Sequence, residues 1–111
     1  MDYNAMKTSD LYGFSTDDLE AARLAIEQAL GIRLVAHESL YLGGDYYRLG
    51  RGHEEQFVLR RNIDLLDAEP AELKFPQARI LFYVNETERP EEIQKLLIEL
   101  PDIALLRRGF V

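Results

Sequence analysis

Residues 78–84 restrict the fold more than any other part of the chain. The segment is apolar except for Arg79, which is typical of a strand buried on both faces of a sheet. Residues 87–100 follow with an amphipathic pattern and a proline in the first turn, and they predict a helix. Residues 103–108 predict a final strand. Because short loops join these elements, their order indicates a right-handed β-α-β crossover between parallel strands.

A second helix is predicted near the start of the chain, over residues 16–30. Ser15 is placed to cap it by accepting a hydrogen bond from the amide of Asp18, and Gly31 is placed to end it. Apolar residues recur with helical spacing at Leu19, Ala22, Ile26, Ala29 and Leu30. Residues 1–13 show little periodicity, so we expect them to form a loosely ordered arm.

Three segments between the helices have the character of strands. Residues 32–38 alternate between apolar and polar side chains, and residues 45–49 and 55–60 flank a glycine-rich turn. Residues 62–77 then carry four acids and two prolines, which predicts a long acidic connection rather than a strand.

The glycine-rich turn suggests a register for the predicted hairpin. If the tip falls at residues 51–52, Tyr46 faces Phe57 and Arg48 faces Glu55 across the two strands. The opposite side of the hairpin is then expected to carry Tyr47, Gln56, Val58 and Arg60.

Together these elements predict one α+β domain over residues 1–111. Its mixed sheet has about five strands, in the sequence order α-β-β-β-β-α-β, with two helices packed on it and a C-terminal β-α-β unit. Two helices cover one face of such a sheet, so part of the other face is expected to be open. An open face that carries Tyr47 and Arg60 would be a natural contact surface.

The composition excludes several functional classes. The 111 residues include no cysteine, which rules out disulfides, thiolate zinc sites and a cysteine nucleophile. The net charge of -7 disfavours nucleic acid as a partner, because the phosphate backbone would be repelled. The sequence has neither a basic and apolar leader nor an apolar run long enough for a bilayer. We therefore expect a cytoplasmic protein with no membrane partner.

The signals for catalysis and for metal binding are weak. His37 and His53 are the two histidines, and neither lies in an HxH or HExxH pattern, so no metal ion or other cofactor is expected. Ser39, His37 and Asp45 could be arranged as a hydrolytic triad, but no nucleophile elbow surrounds the serine. We expect no enzymatic activity.

The acidic connection carries more functional information. Its four carboxylates belong to Asp64, Asp67, Glu69 and Glu72. Acids at a helix start are explained by solvation and the helix dipole, whereas a long acidic loop on a small rigid domain suits electrostatic steering. Such a loop would guide the domain toward a basic protein surface.

Short runs of residues over most of the chain form a recognisable pattern. They are Tyr12-Gly13-Phe14, Leu30-Gly31-Ile32, His37-Glu38-Ser39-x-Tyr41-x-Gly43-Gly44-Asp45-Tyr46-Tyr47-Arg48, Phe57-x-Leu59-x-x-Asn62, Phe82-Tyr83-Val84 and Leu105-Leu106-Arg107-Arg108. This pattern resembles a group of small bacterial immunity proteins that accompany polymorphic or contact-dependent toxins. The resemblance implies a non-enzymatic cytosolic inhibitor of the toxin domain of its own system, often a nuclease. It supplies no catalytic residues and no interface positions.

The sequence therefore predicts a protein that binds and neutralises a cognate, basic toxin by protein–protein contact. The residues expected at that contact are Tyr46, Tyr47, Arg48, Arg60, Asp64, Asp67, Glu69 and Glu72. One alternative is a small-molecule-binding or regulatory domain whose pocket is lined by Tyr41, Tyr46, Tyr47 and Arg48. Another is an enzyme that uses His37 and Glu38.

Overall fold

The computed structural model describes residues 6–110, in which six strands and two helices form an α+β fold. Its strands are β1 (Thr8–Phe14), β2 (Val35–Ser39), β3 (Gly44–Leu49), β4 (Gln56–Arg61), β5 (Ile80–Thr87) and β6 (Ile103–Phe110). Its helices are α1 (Leu19–Leu30) and α2 (Pro90–Leu97), and a 3₁₀ turn, Leu40–Leu42, precedes β3. Within the described residues, neither helix is long and apolar enough to cross a membrane. The predicted fold class is confirmed, with six strands in place of about five.

The additional strand is β1, which lies where the sequence predicted a loosely ordered arm. Part of that arm, residues 1–5, is outside the described residues, but Thr8–Phe14 is a strand between β5 and β6. Its side chains are buried on both faces: Tyr12 joins the core under the helices, and Leu11 packs on the other side of the sheet. A strand covered on both faces has no alternation of polar and apolar residues, which is why its sequence shows no period of two.

Sheet topology explains how the C-terminal β-α-β unit is accommodated. The strand order is β2-β3-β4-β5-β1-β6, and every neighbouring pair is antiparallel. Because β1 is antiparallel to both β5 and β6, these two strands run parallel to each other, as the sequence predicted, but β1 separates them. The sheet is therefore antiparallel throughout rather than mixed.

Both helices pack on the same face of the sheet. The helices contribute Leu19, Ala22, Ile26, Ile93 and Leu97 to one core cluster, each no more than 4% exposed. The strands contribute Tyr12, Phe14, Phe57, Leu59, Ile80, Phe82 and Val84 to the same cluster. Phe57 and Phe82 stack in its centre, with ring centroids 5.9 Å apart. Burial of this apolar surface is the main favourable term for a domain of this size.

Helix α1 begins later than its sequence signal. The amide of Ser15 donates to the carbonyl of Asp102 at 3.0 Å, so Ser15 still pairs with the residue before β6 and is not the cap. Asp18 caps the helix instead, because its carboxylate accepts from the amide of Ala21 at 3.0 Å. Gly31 ends the helix as predicted, with a φ of 66° that glycine adopts without strain.

The β3–β4 hairpin has a different register from the predicted one. Tyr46 lies opposite Arg60, and Tyr47 lies opposite Leu59, so residues 50–55 form a longer loop. The Glu55 carboxylate is held by Arg89 at 2.8 Å, rather than by a cross-strand arginine. Directly opposite residues share a face, so Tyr47 lies under the helices while Arg60 is on the other side of the sheet.

Crowding at the Gly13 position provides a test of the packing between β1 and β6. A Cβ atom on Gly13 would lie 2.7 Å from Leu106 Cδ1 and 2.8 Å from Ala78 Cβ. We expect Gly13→Ala to lower the free energy of unfolding by about 1–3 kcal/mol in urea denaturation, because the core has to shift. Gly109→Ala is the control, since its nearest atom would be 4.0 Å away, and we expect a change within about 0.5 kcal/mol. Equal effects of the two substitutions would contradict the crowding.

Candidate protein-binding surface

Residues 62–79, which connect β4 to β5, cover half of the sheet face that lies opposite the helices. Ala71 and Phe75 from this connection pack against Leu11, Leu81 and Tyr83 of the sheet. The predicted acidic loop is therefore an ordered cover with its own small core. The half of the face formed by β2 and β3 lies beyond this cluster and carries exposed side chains.

One asparagine ties the two ends of the connection together. The Asn62 side-chain amide donates to the carbonyls of Phe75 at 3.0 Å and Ala78 at 2.8 Å. Its side-chain oxygen accepts from the amide of Glu72 at 2.9 Å. Because these bonds satisfy backbone groups that would otherwise compete for water, the connection can fold back on the sheet without regular secondary structure.

The carboxylate of Glu72 holds the connection down on the sheet. The Tyr83 hydroxyl donates to it at 2.5 Å, and the Arg107 guanidinium lies 3.1 Å away. Burial raises the pKa of Glu72, but the hydrogen bonds from Tyr83 and Arg107 outweigh it and leave that pKa below its ordinary value. Burial and the bond to Glu72 raise the pKa of Tyr83. Glu72 thus serves the fold, although it was predicted as a contact residue.

The other three acids form the turn at the tip of the connection. Asp64 Oδ1 accepts from the amide of Leu66 at 2.9 Å, and Asp67 Oδ1 accepts from the amide of Glu69 at 3.0 Å. The Asp64 amide also donates to the Glu69 carbonyl at 2.8 Å, which closes the turn. Each of these aspartates forms an Asx turn, so the tip holds one conformation while its carboxylates face the solvent.

The same tip displays apolar side chains. Leu66 is 71% exposed and Leu65 is 46% exposed, while Tyr41 and Leu40 of the neighbouring 3₁₀ turn are 79% and 66% exposed. The two segments lie side by side, because a Cβ on Gly43 would be 3.1 Å from the Ile63 carbonyl oxygen. Contiguous exposed apolar residues with a polar border are typical of protein-binding sites.

Three carboxylates of the same turn lie beside these apolar residues, those of Asp64, Asp67 and Glu69. Among residues 6–110, none of these three acids takes part in an ion pair. We call this surface the tip patch; it consists of Leu40, Tyr41, Leu65 and Leu66 with Asp64, Asp67 and Glu69. It combines exposed apolar side chains with three negative charges.

Tyr47 was predicted on the open face but lies on the helix side of the sheet. Its hydroxyl donates to the carboxylate of Glu20, and the Arg23 guanidinium carbon lies 5.3 Å above its ring. Hydrogen bonds from Arg23 and Tyr47 lower the pKa of Glu20 to about 2. Tyr47 therefore ties β3 to α1. The placement predicted from the sequence was wrong because it rested on the wrong hairpin register.

Arg60, also predicted as a contact residue, is 7% exposed. Its guanidinium donates to the carbonyls of Arg61 and Ile63, both at 3.0 Å, so it supports the start of the connection. Tyr46 lies on the open half of the sheet beneath His37, with ring centroids 5.3 Å apart, and Arg48 is half-buried beside them. Of the eight predicted contact residues, the structure brings Asp64, Asp67 and Glu69 together at the tip.

The residues of the alternative interpretations are dispersed. Tyr41 lies on the 3₁₀ turn and Tyr47 on the helix side, so these two do not line one pocket with Tyr46 and Arg48. The Ser39 hydroxyl accepts from the amide of Tyr41 at 3.2 Å, which caps the 3₁₀ turn. Within residues 6–110, no group of three or more potential ligands is arranged to hold a metal ion.

Comparisons with models of protein families, with curated proteins and with solved structures found no match to this chain. The function of the chain has to be inferred from its own residues.

The apolar half of the tip patch was not predicted from the sequence, although a signal was present. Leu65 and Leu66 are consecutive apolar residues in a segment that has no helical or strand period and is rich in acids. Without such a period, nothing in the sequence assigns these two leucines to the core. Its position beside Tyr41 depends on the path of the connection, which the sequence does not give.

The role of Glu72 as an anchor can be tested with a neutral variant. We expect Glu72→Gln to lower the free energy of unfolding at pH 7 by about 1–3 kcal/mol, because charge-assisted hydrogen bonds to Tyr83 and Arg107 are lost. The folded-state pKa of Glu72 lies below the ordinary value of 4.5, so its stabilisation is lost as the pH falls through and below 4.5. The difference between the two proteins should therefore shrink in acid.

Glu69→Gln is the matched control for this measurement, since only backbone atoms of that exposed residue are hydrogen-bonded in the described structure. Urea denaturation from pH 3 to pH 7 would measure both variants. A Glu72→Gln penalty independent of pH, or equal to that of Glu69→Gln, would contradict the anchoring role.

Proposed function

We propose that the chain is an immunity protein that binds and neutralises a cognate toxin domain through the tip patch. In this proposal it acts in the cytoplasm as an inhibitor without catalytic activity of its own. The observation that carries the proposal is the fixed turn of residues 64–69, which presents Leu65, Leu66 and three acids next to the 3₁₀ turn that carries Tyr41. The resemblance of the sequence to immunity proteins points to the same function.

The apolar centre of the tip patch supplies binding energy. Full burial of an exposed leucine or aromatic side chain at a contact contributes about 1.5–3 kcal/mol. Leu66 and Tyr41 are the two most exposed members of the patch, at 71% and 79%, so they have the most surface to lose to a partner. Because hydrogen bonds already fix the turn, binding costs little conformational entropy there.

The three acids of the tip patch supply selectivity for a basic partner and a faster association rate. Carboxylates at the edge of an interface mainly raise the association rate with a partner of opposite charge. The chain carries a net charge of -7, which adds to this attraction. A domain that cuts or binds nucleic acid needs a positive surface to hold the phosphate backbone, so a nuclease toxin fits the charge of the tip patch.

The proposal can be tested by capture followed by a toxicity assay. The wild-type protein, fixed to a support, would be used to capture proteins from its native host, and each retained protein would then be expressed alone and together with the chain. We expect one retained protein that arrests growth when expressed alone, and growth restored by co-expression. A protein retained without toxicity, or toxicity that the chain does not relieve, would contradict neutralisation.

Two single substitutions test the apolar centre. We expect Tyr41→Ala and Leu66→Ser each to weaken binding of the captured toxin by about 10- to 100-fold, because an anchor side chain is lost. Leu24→Ser is the control, since Leu24 is 50% exposed on α1, away from the patch. Calorimetric titration would measure the dissociation constants. Equal affinity of all three variants and the wild type would place the contact elsewhere.

The three acids of the tip patch are tested by their effect on the association rate. We expect the triple change Asp64→Asn, Asp67→Asn and Glu69→Gln to lower the association rate about 10-fold at low salt and to flatten its salt dependence. The asparagines keep the oxygens that accept the backbone bonds of the turn. The control removes three exposed acids elsewhere, with Glu54→Gln, Glu88→Gln and Glu99→Gln. Equal rates for the two triple variants, measured by stopped flow, would contradict local steering.

A further inference from the structure

A groove of about 520 Å³ lies on the open half of the sheet, at the end away from the tip patch. It is lined by Val35 and His37 of β2, Arg48 and Leu49 of β3, and the start of the following loop, Gly50 and Arg51. These residues take no part in the proposed contact with a toxin.

The pairing of β2 with β3 brings rings and a cation onto one face. Val35 lies directly opposite Arg48, and His37 lies directly opposite Tyr46, so all four side chains share the open face. The His37 and Tyr46 rings stack at 5.3 Å with an interplanar angle of 22°. His37 is exposed whereas Tyr46 is buried, so the His37 ring, supported by Tyr46, is the aromatic surface that a ligand can reach.

The cations of the groove are left without acids, in contrast to five of the other arginines of the chain. Ion pairs engage the guanidinium groups of Arg23, Arg79, Arg89, Arg107 and Arg108. Arg48 and Arg51 form no ion pair with any described residue, and the one hydrogen bond of the Arg48 side chain is a long contact of 3.5 Å to the Gly50 carbonyl. Most of their donors are therefore available, in a chain whose net charge is negative.

The loop that carries Arg51 is held in place. Gly50 has a φ of 88°, and a Cβ there would lie 2.2 Å from the Glu55 carbonyl oxygen, so the turn requires glycine. The Gln56 side chain donates to the Gly52 carbonyl at 2.6 Å, and Lys7 Nζ donates to the His53 carbonyl at 2.9 Å. Arg51 is thus presented from a fixed backbone.

We propose that this groove binds a small ligand in which a planar ring carries an oxyanion, either a phosphate or a carboxylate. The ring lies on the His37 imidazole, which Tyr46 supports, beside Val35, and the oxyanion lies between Arg48 and Arg51. Arginine matches the geometry of both oxyanions through paired N–H donors, and its binding is strongest where no internal acid competes. A few polar groups beside an apolar platform are the usual composition of a small-molecule site.

The experiment uses the whole chain and four probes: adenosine monophosphate, phenylacetate, adenosine and inorganic phosphate. The two ring–oxyanion probes distinguish a phosphate from a carboxylate ligand, and the other two separate the ring from the anion. Amide and imidazole NMR shifts would locate binding, and calorimetry would measure affinity. We expect at least one ring–oxyanion probe to bind with a dissociation constant below about 1 mM, about tenfold tighter than adenosine or inorganic phosphate.

Arginine variants test the site itself. We expect Arg48→Gln and Arg51→Gln each to weaken that binding by about tenfold or more. Arg51 is exposed on a loop, so its variant keeps the test informative if Arg48→Gln fails to fold. Arg61→Gln is the control, because Arg61 also forms no ion pair with a described residue but lines a different depression. We expect it to bind like the wild type.

Three outcomes would overturn the proposal. The first is the absence of groove shifts with all four probes up to about 10 mM. The second is equal weakening by Arg61→Gln, which would indicate general attraction to positive charge. The third, measured with a single-stranded oligonucleotide as a fifth probe, is binding far tighter than that of adenosine monophosphate and steeply dependent on salt, which would indicate an extended polyanion. None of these outcomes depends on whether a toxin binds the tip patch.

Discussion

The insertion of β1 between β5 and β6 is the constraint on which the remaining structure depends. A buried ion pair fixes it: the Asp10 side chain is 1% exposed, and both of its oxygens accept from Arg108 of β6 at 2.9 Å. Arg108 also donates to Gln94 of α2 at 3.0 Å, so one guanidinium joins two strands and a helix. Loss of one partner from such a pair leaves an uncompensated buried charge, which costs about 3–5 kcal/mol. Burial, together with the charge of Asp10, raises the pKa of Tyr12 to about 12.

The unequal covering of the two sheet faces generates both candidate surfaces. The two helices cover one face of the sheet and form the main core with it. On the other face, residues 62–79 cover only the part formed by β1, β5 and β6. The same connection must turn back at its tip, and this turn carries the acids and leucines of the tip patch. The groove is open because the connection reaches only the start of β3 and does not cover the rest of β2 and β3. The path of this one connection therefore determines the positions of both proposed sites, the tip patch and the groove.

Local signals in the sequence predicted most elements of this fold but not their long-range pairing. The helices and the strands β2 to β6 follow from periodicity, turn residues and apolar runs. The strand β1 was missed because its burial on both faces removes the period. The predicted register of the β3–β4 hairpin was wrong. It paired Glu55 with Arg48, whereas Glu55 bonds to Arg89, which is 34 residues away, and no local rule contains that contact. The acids at the tip were identified from the composition of the segment. Their position next to the 3₁₀ turn that carries Tyr41 depends on the close approach of Gly43 and Ile63, which the composition does not give.

The separation of Asp10 from Arg108 along the chain has a consequence for the order of folding. The two residues are 98 positions apart, while β2, β3, β4 and β5 are consecutive both in the chain and in the sheet. A meander of consecutive strands can form from short-range contacts, whereas β1 has no neighbour until β5 and β6 have been synthesised. During synthesis, the first of the described strands is therefore the last of them to find its neighbours, and Asp10 stays hydrated until Arg108 has been made. The pairing of β1 with β5 and β6 then completes the sheet. In this step the earliest and latest segments of the described chain enter the sheet together.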